Sequence, residues 1–480
     1  MKSNVDMTIG RRSFLGLVGS AGAGAAAFGS SSAVPGVSCG RSANGRLRLA
    51  VIGTGCQGSH DIKYFARHRR LEMCAFCDAD LRQLEPHRAV FPKARFYQHW
   101  REMLDKERPD AVLVATPDHL HFEMMSEVLG RGVNLYAQKP LCRTFDESRR
   151  LRELAESSGA VTQLGTQIAA WECDRFTVLQ LQEGVIGKVE KVWIFANSGY
   201  YPKMMQRALP SGLDPIPREL DWGEWIGSAK PRPFKEGLYH PGVWRAWRDF
   251  GSGWLGDMGS HLFSPIVLGM GLQNVLPTYA KAEGYAPGWT DEMKREFFPL
   301  CEHVVWNFPG VPATGMKPFE VEWCDGPIPG SVPAGLLLPG NLADKVAAGK
   351  DISVPDAFLP PKFAVEMGKR SQWRHLPWQG RLVKGTDGWM FSSHFNLPPV
   401  LFDRDGNSMK LSLPYDEPVG SHYSDFVDCC LDGGRPRSDF SWATRMTEYL
   451  ILGNLAIARQ GETVRAADAM KETAGSGANA

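Results

Sequence analysis

From residue 47 onward, short apolar runs alternate with stretches whose apolar residues recur at helical spacing. Leu47–Ile52 reads as a strand of β-type residues, and Leu71–Cys77 as a second. Residues 110–115, Asn134–Ala137 and residues 161–164 complete a set of five. Between them lie amphipathic segments. One follows Gly58, with Ile62, Phe65 and Ala66 on one face, and others cover 119–129 and 144–157. The last opens on a capping box, Thr144 with Glu147, and closes at Gly159. Alternation of this period predicts an α/β domain over residues 46–165, a doubly wound parallel sheet holding ligands outside the carboxyl ends of its strands.

The pattern changes after Glu172. Residues 175–183 read as a helix, 184–188 as a turn and 189–197 as a strand. Residues 199–250 are loop-rich and aromatic; Trp222, Trp225, Trp244, Trp247 and Trp254 crowd one short window. Such a cluster either fills a core between domains or offers flat faces to sugar rings, with Arg245 and Arg248 as ligands for hydroxyls or carboxylates. Strands are predicted at 280–285, 303–308, Phe319–Cys324 and 385–391, and late helices at 421–431 and 442–460. Residues 309–361, rich in Pro and Gly, read as irregular surface or subunit contact. Residues 166–460 therefore form a second domain and 461–480 a disordered tail, within the two or three domains that ~100–200 residues per domain allow for 480 residues.

Composition removes several classes. With 54 basic against 53 acidic residues, nothing calls for a nucleic-acid partner. No apolar run after residue 45 is long enough to span a bilayer. Ten cysteines are too few for a disulfide scaffold. Cys74 and Cys77 point to opposite faces of a strand, Cys429-Cys430 reads as a small buried pair, and the histidines do not cluster, so no metal is expected. At the N-terminus, Arg11-Arg12, then Phe14-Leu15 and a Gly/Ala-rich stretch, read as a twin-arginine export signal over residues 1–33, cleaved after Ala33, with 34–45 as linker. Gly36 stands where a lipoprotein box wants Leu, which argues against a lipid anchor at Cys39. Such export carries folded proteins out of the cytoplasm, so a periplasmic or extracytoplasmic location and a tightly held cofactor are expected.

The first strand leads into Gly53-Thr54-Gly55-Cys56-Gln57-Gly58, a GxGxxG turn followed by a helix. Gly53 permits the tight turn, Gly55 lets backbone approach a pyrophosphate, and Gly58 lets helix pack on strand. Asp78 ends the second strand, 20 residues after Gly58; a carboxylate there accepts ribose hydroxyls and repels a 2′-phosphate, favouring NAD. Arg82 is the nearby residue that keeps NADP open. Two further segments sit at strand ends: Thr116-Pro117-Asp118-His119-Leu120-His121 and Gln138-Lys139-Pro140.

In these motifs and their order the chain resembles the Gfo/Idh/MocA oxidoreductases, whose pattern is GxGxxG, Thr-Pro-Asn-x-x-His beneath the nicotinamide, and Glu-Lys-Pro with an active-site lysine. The resemblance implies a C-terminal α+β domain with a large open, mostly antiparallel sheet. It also implies a third segment, Asp-x-x-x-His, matched by Asp257 and His261, which share a helix face. By that resemblance Lys139, Asp257 and His261 are catalytic: His261 accepts a hydroxyl proton, Lys139 supports the oxygen, and Asp257 orients. Thr116, Pro117, His121 and Lys139 join residues 53–58 and Asp78 around the cofactor. Gln167, Tyr239, Arg245 and Trp247 are the substrate contacts expected. Two departures stand out: Asp118 replaces Asn and adds charge, and Gln138 replaces a Glu that would stabilise the Lys139 ammonium. The activity implied is NAD(P)-dependent hydride transfer at a hydroxyl of a sugar, glycoside or cyclic polyol, by a homo-oligomer paired through exposed sheets. Export favours a closed redox cycle, one version of which is a glycosidase working by oxidation, elimination and re-reduction. A non-catalytic sugar- or NAD-binding protein is the remaining class.

Overall fold

The computed structural model describes residues 45–196, 209–326, 354–371, 379–394, 398–410 and 421–476, with 373–374 and 376–377. The export signal and Cys39 lie outside the described residues, as do parts of the aromatic loop and of the Pro/Gly-rich segment.

Six parallel strands form the first sheet: β1 (Leu47–Ile52), β2 (Leu71–Cys77), β3 (Arg95–Tyr97), β4 (Ala111–Val114), β5 (Asn134–Ala137) and β6 (Thr162–Leu164), in the order β3-β2-β1-β4-β5-β6. The central strands read as apolar runs because helices cover both faces. The helices are α1 (Cys56–Phe65), α2 (Leu81–Val90), α3 (Trp100–Glu107), α4 (Asp118–Gly130) and α5 (Phe145–Ser158). The Thr144–Glu147 capping box forms at the start of α5, and Gly159 caps its end in the left-handed region. Strand order reverses between β1 and β4, which opens a crevice at their carboxyl ends.

After α6 (Glu172–Gln182) comes β7 (Val189–Ala196), then α7 (Trp222–Ile226), α8 (Gly253–Met270), β8 (Tyr279–Tyr285), α9 (Asp291–Glu296), β9 (Cys301–Phe308) and β10 (Phe319–Cys324). Next are α10 (Lys362–Arg370), β11 (Gln379–Gly385), β12 (Gly388–Ser393), β13 (Val400–Asp403), β14 (Ser408–Met409), α11 (His422–Asp432), α12 (Phe440–Ala458), β15 (Thr463–Arg465) and α13 (Ala466–Ser476). The nine strands make one sheet, antiparallel throughout except for the β7–β10 pair.

Three expectations need correction. The run 385–391 is not one strand but the end of β11, a tight turn and most of β12, because both arms of this hairpin are buried on both faces, Arg381 included, so alternation cannot mark the turn. Residues 461–476 are not a disordered tail: Val464 pairs opposite Ala280 at the sheet edge, and Ala466 and Ala469 are buried. Cys429 and Cys430 are also half-exposed rather than buried.

The end of the chain returns to the first domain. Tyr423, Phe426 and Val427 of α11 share a buried cluster with Leu47, Phe65 and Tyr136. Beneath α8 lies a fully buried ion pair. Arg381 donates to Asp174 (2.8 Å) and to the carbonyls of His261 (2.8 Å) and Leu262 (2.6 Å), tying β11 to the backbone of α8.

Candidate active site

A cavity of about 370 Å³ runs from the glycine turn across the strand ends to α8. Gly53 has φ +87, and a Cβ there would lie 2.5 Å from the Ala115 carbonyl oxygen. A Cβ on Gly58 would lie 2.0 Å from the carbonyl oxygen of Gly53. Only glycine permits this turn and this helix approach. Gly53, Gly55, Cys56, Gln57, Asp78, Thr116, Pro117 and Lys139 line the cavity. Thr54, Gly58 and His121 stand behind it.

Asp78 lines the cavity, and its carboxylate accepts hydrogen bonds from Thr54 N (2.8 Å), Thr54 Oγ1 (3.1 Å) and Asp80 N (3.0 Å), so it braces the glycine turn. Arg82 is committed elsewhere: its Nε and Nη2 each lie 2.8 Å from an Asp80 oxygen. Arg82, which left NADP open, thus forks onto Asp80 instead of lining the cavity. His121 is buried between the carbonyls of Pro140 (2.7 Å) and Thr116 (2.9 Å), and burial pushes its pKa down to about 4. Neutral, it has one N–H to donate, so it bonds one of the two loops that carry Thr116 and Lys139 and packs against the other.

At the other end, Lys139 Nζ donates to Asp257 Oδ1 (2.6 Å) and to the Asp257 carbonyl (2.9 Å). Arg245 Nε reaches the same carboxylate oxygen at 3.4 Å, and its guanidinium lies 4.2 Å from the Trp244 ring centroid. Burial pushes the Asp257 carboxyl up, but Lys139 and Arg245 outweigh it and hold the group well below the usual range. Asp118, the first residue of α4, behaves oppositely: burial pushes it up to about 7 despite the pull of Arg245. His261 lies one turn along α8 from Asp257, behind the cavity wall. Its ring centroid is 5.4 Å from that of His394, which lines the cavity. Burial keeps His261 neutral, and its Nδ1 has no hydrogen-bond partner among the described residues.

Three of the four expected substrate contacts are placed elsewhere. Tyr239 and Trp247 are buried in a cluster with Trp222, Phe250 and Phe297, where Trp247 donates to the Leu238 carbonyl. Gln167 donates to buried Asp61 at 3.3 Å. Arg248 is likewise structural, its Nε bonding the carbonyls of Lys294 and Phe297. Arg245 does line the cavity. The aromatic window thus serves both readings: Trp222 and Trp247 are core, while Trp225, Trp244 and Trp254 form wall.

Sequence reasoning missed Trp244, Gln379 and His394. Trp244 lies within the flagged window, but only the 3₁₀ turn over residues 243–246 decides that it, and not Trp247, faces inward. Gln379 and His394 meet at the open ends of β11 and β12, paired through the His394 N–H (3.0 Å), a contact with no local signature. One histidine does join other ligand types: His303, Glu322 and Cys324 offer atoms within 4.8 Å of one another on β9 and β10. Glu322 already accepts from His303 (3.0 Å) and Lys191 (2.9 Å), so an ammonium stands where a cation would sit.

Residues 47–166 match the family model described as oxidoreductase family, NAD-binding Rossmann fold, and residues 177–287 match that family's C-terminal α/β domain. Among curated proteins, the chain is similar to the rhizopine catabolism protein MocA of Rhizobium meliloti, 25% identical over 40% of this chain and 60% of the relative. It is 28% identical to the D-glucoside 3-dehydrogenase of Escherichia coli over 24% of this chain and 33% of that one. It is 24% identical to a glycosyl hydrolase family 109 protein of Shewanella pealeana over 30% and 33% of the respective chains. These matches span between a third and three fifths of the relatives' lengths. The WlbA dehydrogenase of Bordetella pertussis, solved with NADH and UDP-GlcNAcA, shares the fold at TM-score 0.55 and 14% identity, over 88% of this chain and 98% of that one. With the parallel and the mostly antiparallel sheet both in place, residues 47–166 and 177–287 match, in order, the NAD-binding Rossmann domain and the C-terminal α/β domain of the Gfo/Idh/MocA oxidoreductase family.

Proposed function

We propose that this protein oxidises and reduces a hydroxyl-bearing carbon of a sugar, glycoside or cyclic polyol, using NAD held in the cavity. The observation that carries the reading is that the Lys139–Asp257 pair opens on the same cavity as the glycine turn. The residues fit a dinucleotide. The turn has no side chain at Gly53 and Gly55, the amino end of α1 faces the cavity, and the buried Thr116 Oγ1 lining it has no partner among the described residues. When bound, the nicotinamide supplies the hydride acceptor and donor.

The chain's own residues handle oxygen and proton. Lys139, fixed by Asp257, donates to the substrate oxygen and stabilises the charge that develops there. The family pattern gives the hydroxyl proton to His261, whose ring is neutral with an unpartnered Nδ1 but lies behind the cavity wall, next to the cavity-lining His394. Arg245 and Trp244 offer a cation and a flat face to a sugar ring. Asp118 places beside them a carboxyl that changes charge near neutrality. Export by the twin-arginine route, read from residues 1–33, completes the proposal: outside the cytoplasm the cofactor is recycled in place, by reducing a second sugar or by returning the hydride after elimination. The family 109 relative supports the elimination version, in which the net reaction is hydrolysis.

The test is to release and assay the small molecules from protein purified without added cofactor, then to follow turnover of a glycoside panel by wild type, Lys139→Ala and His261→Ala. NAD(H) near one per chain, with turnover lost in both variants, is expected. Aglycone release without net NADH marks the elimination cycle. Protein that binds neither dinucleotide when supplied, or turnover unchanged in both variants, refutes the proposal.

A further inference from the structure

Asp61 is a fully buried carboxylate on α1, three residues past the glycine turn. Its Oδ1 accepts hydrogen bonds from Gln57 Nε2 (2.9 Å), Tyr423 Oη (2.8 Å) and Gln167 Nε2 (3.3 Å). Its Oδ2 accepts from Gln138 Nε2 at 2.7 Å. The half-exposed His60, 3.9 Å away, is the nearest ion-pairing side chain. A buried charge is therefore held by four neutral donors, drawn from α1, the end of β5, the segment after β6, and α11. Two of those donors, Gln57 and Gln138, line the cavity, one in the glycine turn and one immediately before Lys139.

This arrangement explains the departure at Gln138. A glutamate there would set a second carboxylate against Asp61 Oδ2 in a site where like charges cannot both ionise cheaply. An amide at 138 instead turns its N–H toward Asp61. Gly165 leaves the space this amide occupies, since a Cβ there would lie 2.6 Å from Gln138 Nε2. We infer that Asp61 is a positioning residue: its carboxylate fixes the Gln57 side of the cofactor turn and the Gln138–Lys139 strand end in one frame, and Gln138 is an amide because Asp61 carries the charge. The inference rests on the oxidoreductase reading above for its functional consequence, but the pairing does not.

The experiment compares full-length Gln138→Glu, Asp61→Asn and the double variant Asp61→Asn/Gln138→Glu, by thermal unfolding, by NAD⁺ affinity from tryptophan quenching, and by kcat and KM on whichever glycoside wild type turns over. Gln138→Glu is expected to lower NAD⁺ affinity and kcat roughly ten- to hundredfold and to melt earlier. The double variant exchanges donor and acceptor and recovers most of both losses, while KM for the glycoside moves little. A double variant as impaired as the two singles combined overturns the pairing. Coupling in melting with NAD⁺ affinity and kcat unchanged in every variant overturns the positioning role. Wild type that binds no NAD⁺ while melting still couples refutes the site reading and leaves the pair purely structural, so the two failures are distinguishable.

Discussion

Asp118→Asn restores the amide of the family pattern, and its effect can be worked from the burial of the carboxyl. Asp118 is 6% exposed, and burial lifts its pKa from 3.8 to about 7 against the pull of Arg245 and Lys139. The native carboxyl therefore keeps its proton to higher pH than the unfolded chain does. Between the two values the native state binds more protons, so stability falls as pH rises. At ~1.4 kcal/mol per pH unit the window is worth roughly 4 kcal/mol. Asparagine has nearly the same shape and no charge to desolvate. The variant is thus expected to match wild type near pH ~4 and to exceed it by up to about 4 kcal/mol above pH ~7, once the full shift has been traversed. Urea unfolding of both proteins at closely spaced pH values measures the difference directly. The pH–rate profile offers a second check: an inflection near 7 present in wild type should vanish in the variant. Unfolding curves that stay parallel across the window would refute the argument.

Three further outcomes follow from the geometry. Lys139→Ala strips Asp257 of its nearer cation, leaving a buried carboxylate with Arg245 at 3.4 Å; kcat should fall ~10²-fold or more, and the Asp257 carboxyl should rise toward the ordinary range, detectable as a new acidic limb in NAD⁺ binding. Arg381→Met leaves Asp174 buried and the carbonyls of His261 and Leu262 without donors; a loss of ~3–5 kcal/mol by urea unfolding is expected, and Asp174→Leu added to it should return a large part. Trp244→Ala removes both the aromatic wall and the support of the Arg245 guanidinium, so substrate KM should rise at least ~10-fold with NAD⁺ affinity little changed, whereas Trp247→Phe, deep in the core, should alter stability and leave KM alone.

The nucleotide half was legible because its signals are local. β1, β2 and β5 run with their sequence-predicted limits, the capping box forms at Thr144, and the glycine spacing answers to a backbone that admits no Cβ at Gly53 or Gly58. What sequence could not give depends on distant parts of the chain. The hairpin of β11 and β12 was hidden because both arms are buried, which erases the alternation that marks a turn. Val464 makes a strand of the tail only because β8 presents an edge to it. Among the aromatics, periodicity offered no way to separate Trp244 from Tyr239 and Trp247, since a loop has no fixed face.

The candidate site divides along the same line. Asp257 and Lys139 stand out as motif residues, yet the 2.6 Å pair between them joins positions 118 residues apart, which no local pattern links. The amide at 138 looks like a weakened motif when read alone. Beside Asp61 it is the neutral half of a hydrogen-bonded pair, and the carboxylate missing from the strand end is present one helix away. A substitution at one motif position therefore has to be judged with the buried group it faces. In this chain such groups are met from both domains: Tyr423 of α11 joins Gln57 and Gln138 on Asp61, and Asp257 of α8 meets Lys139.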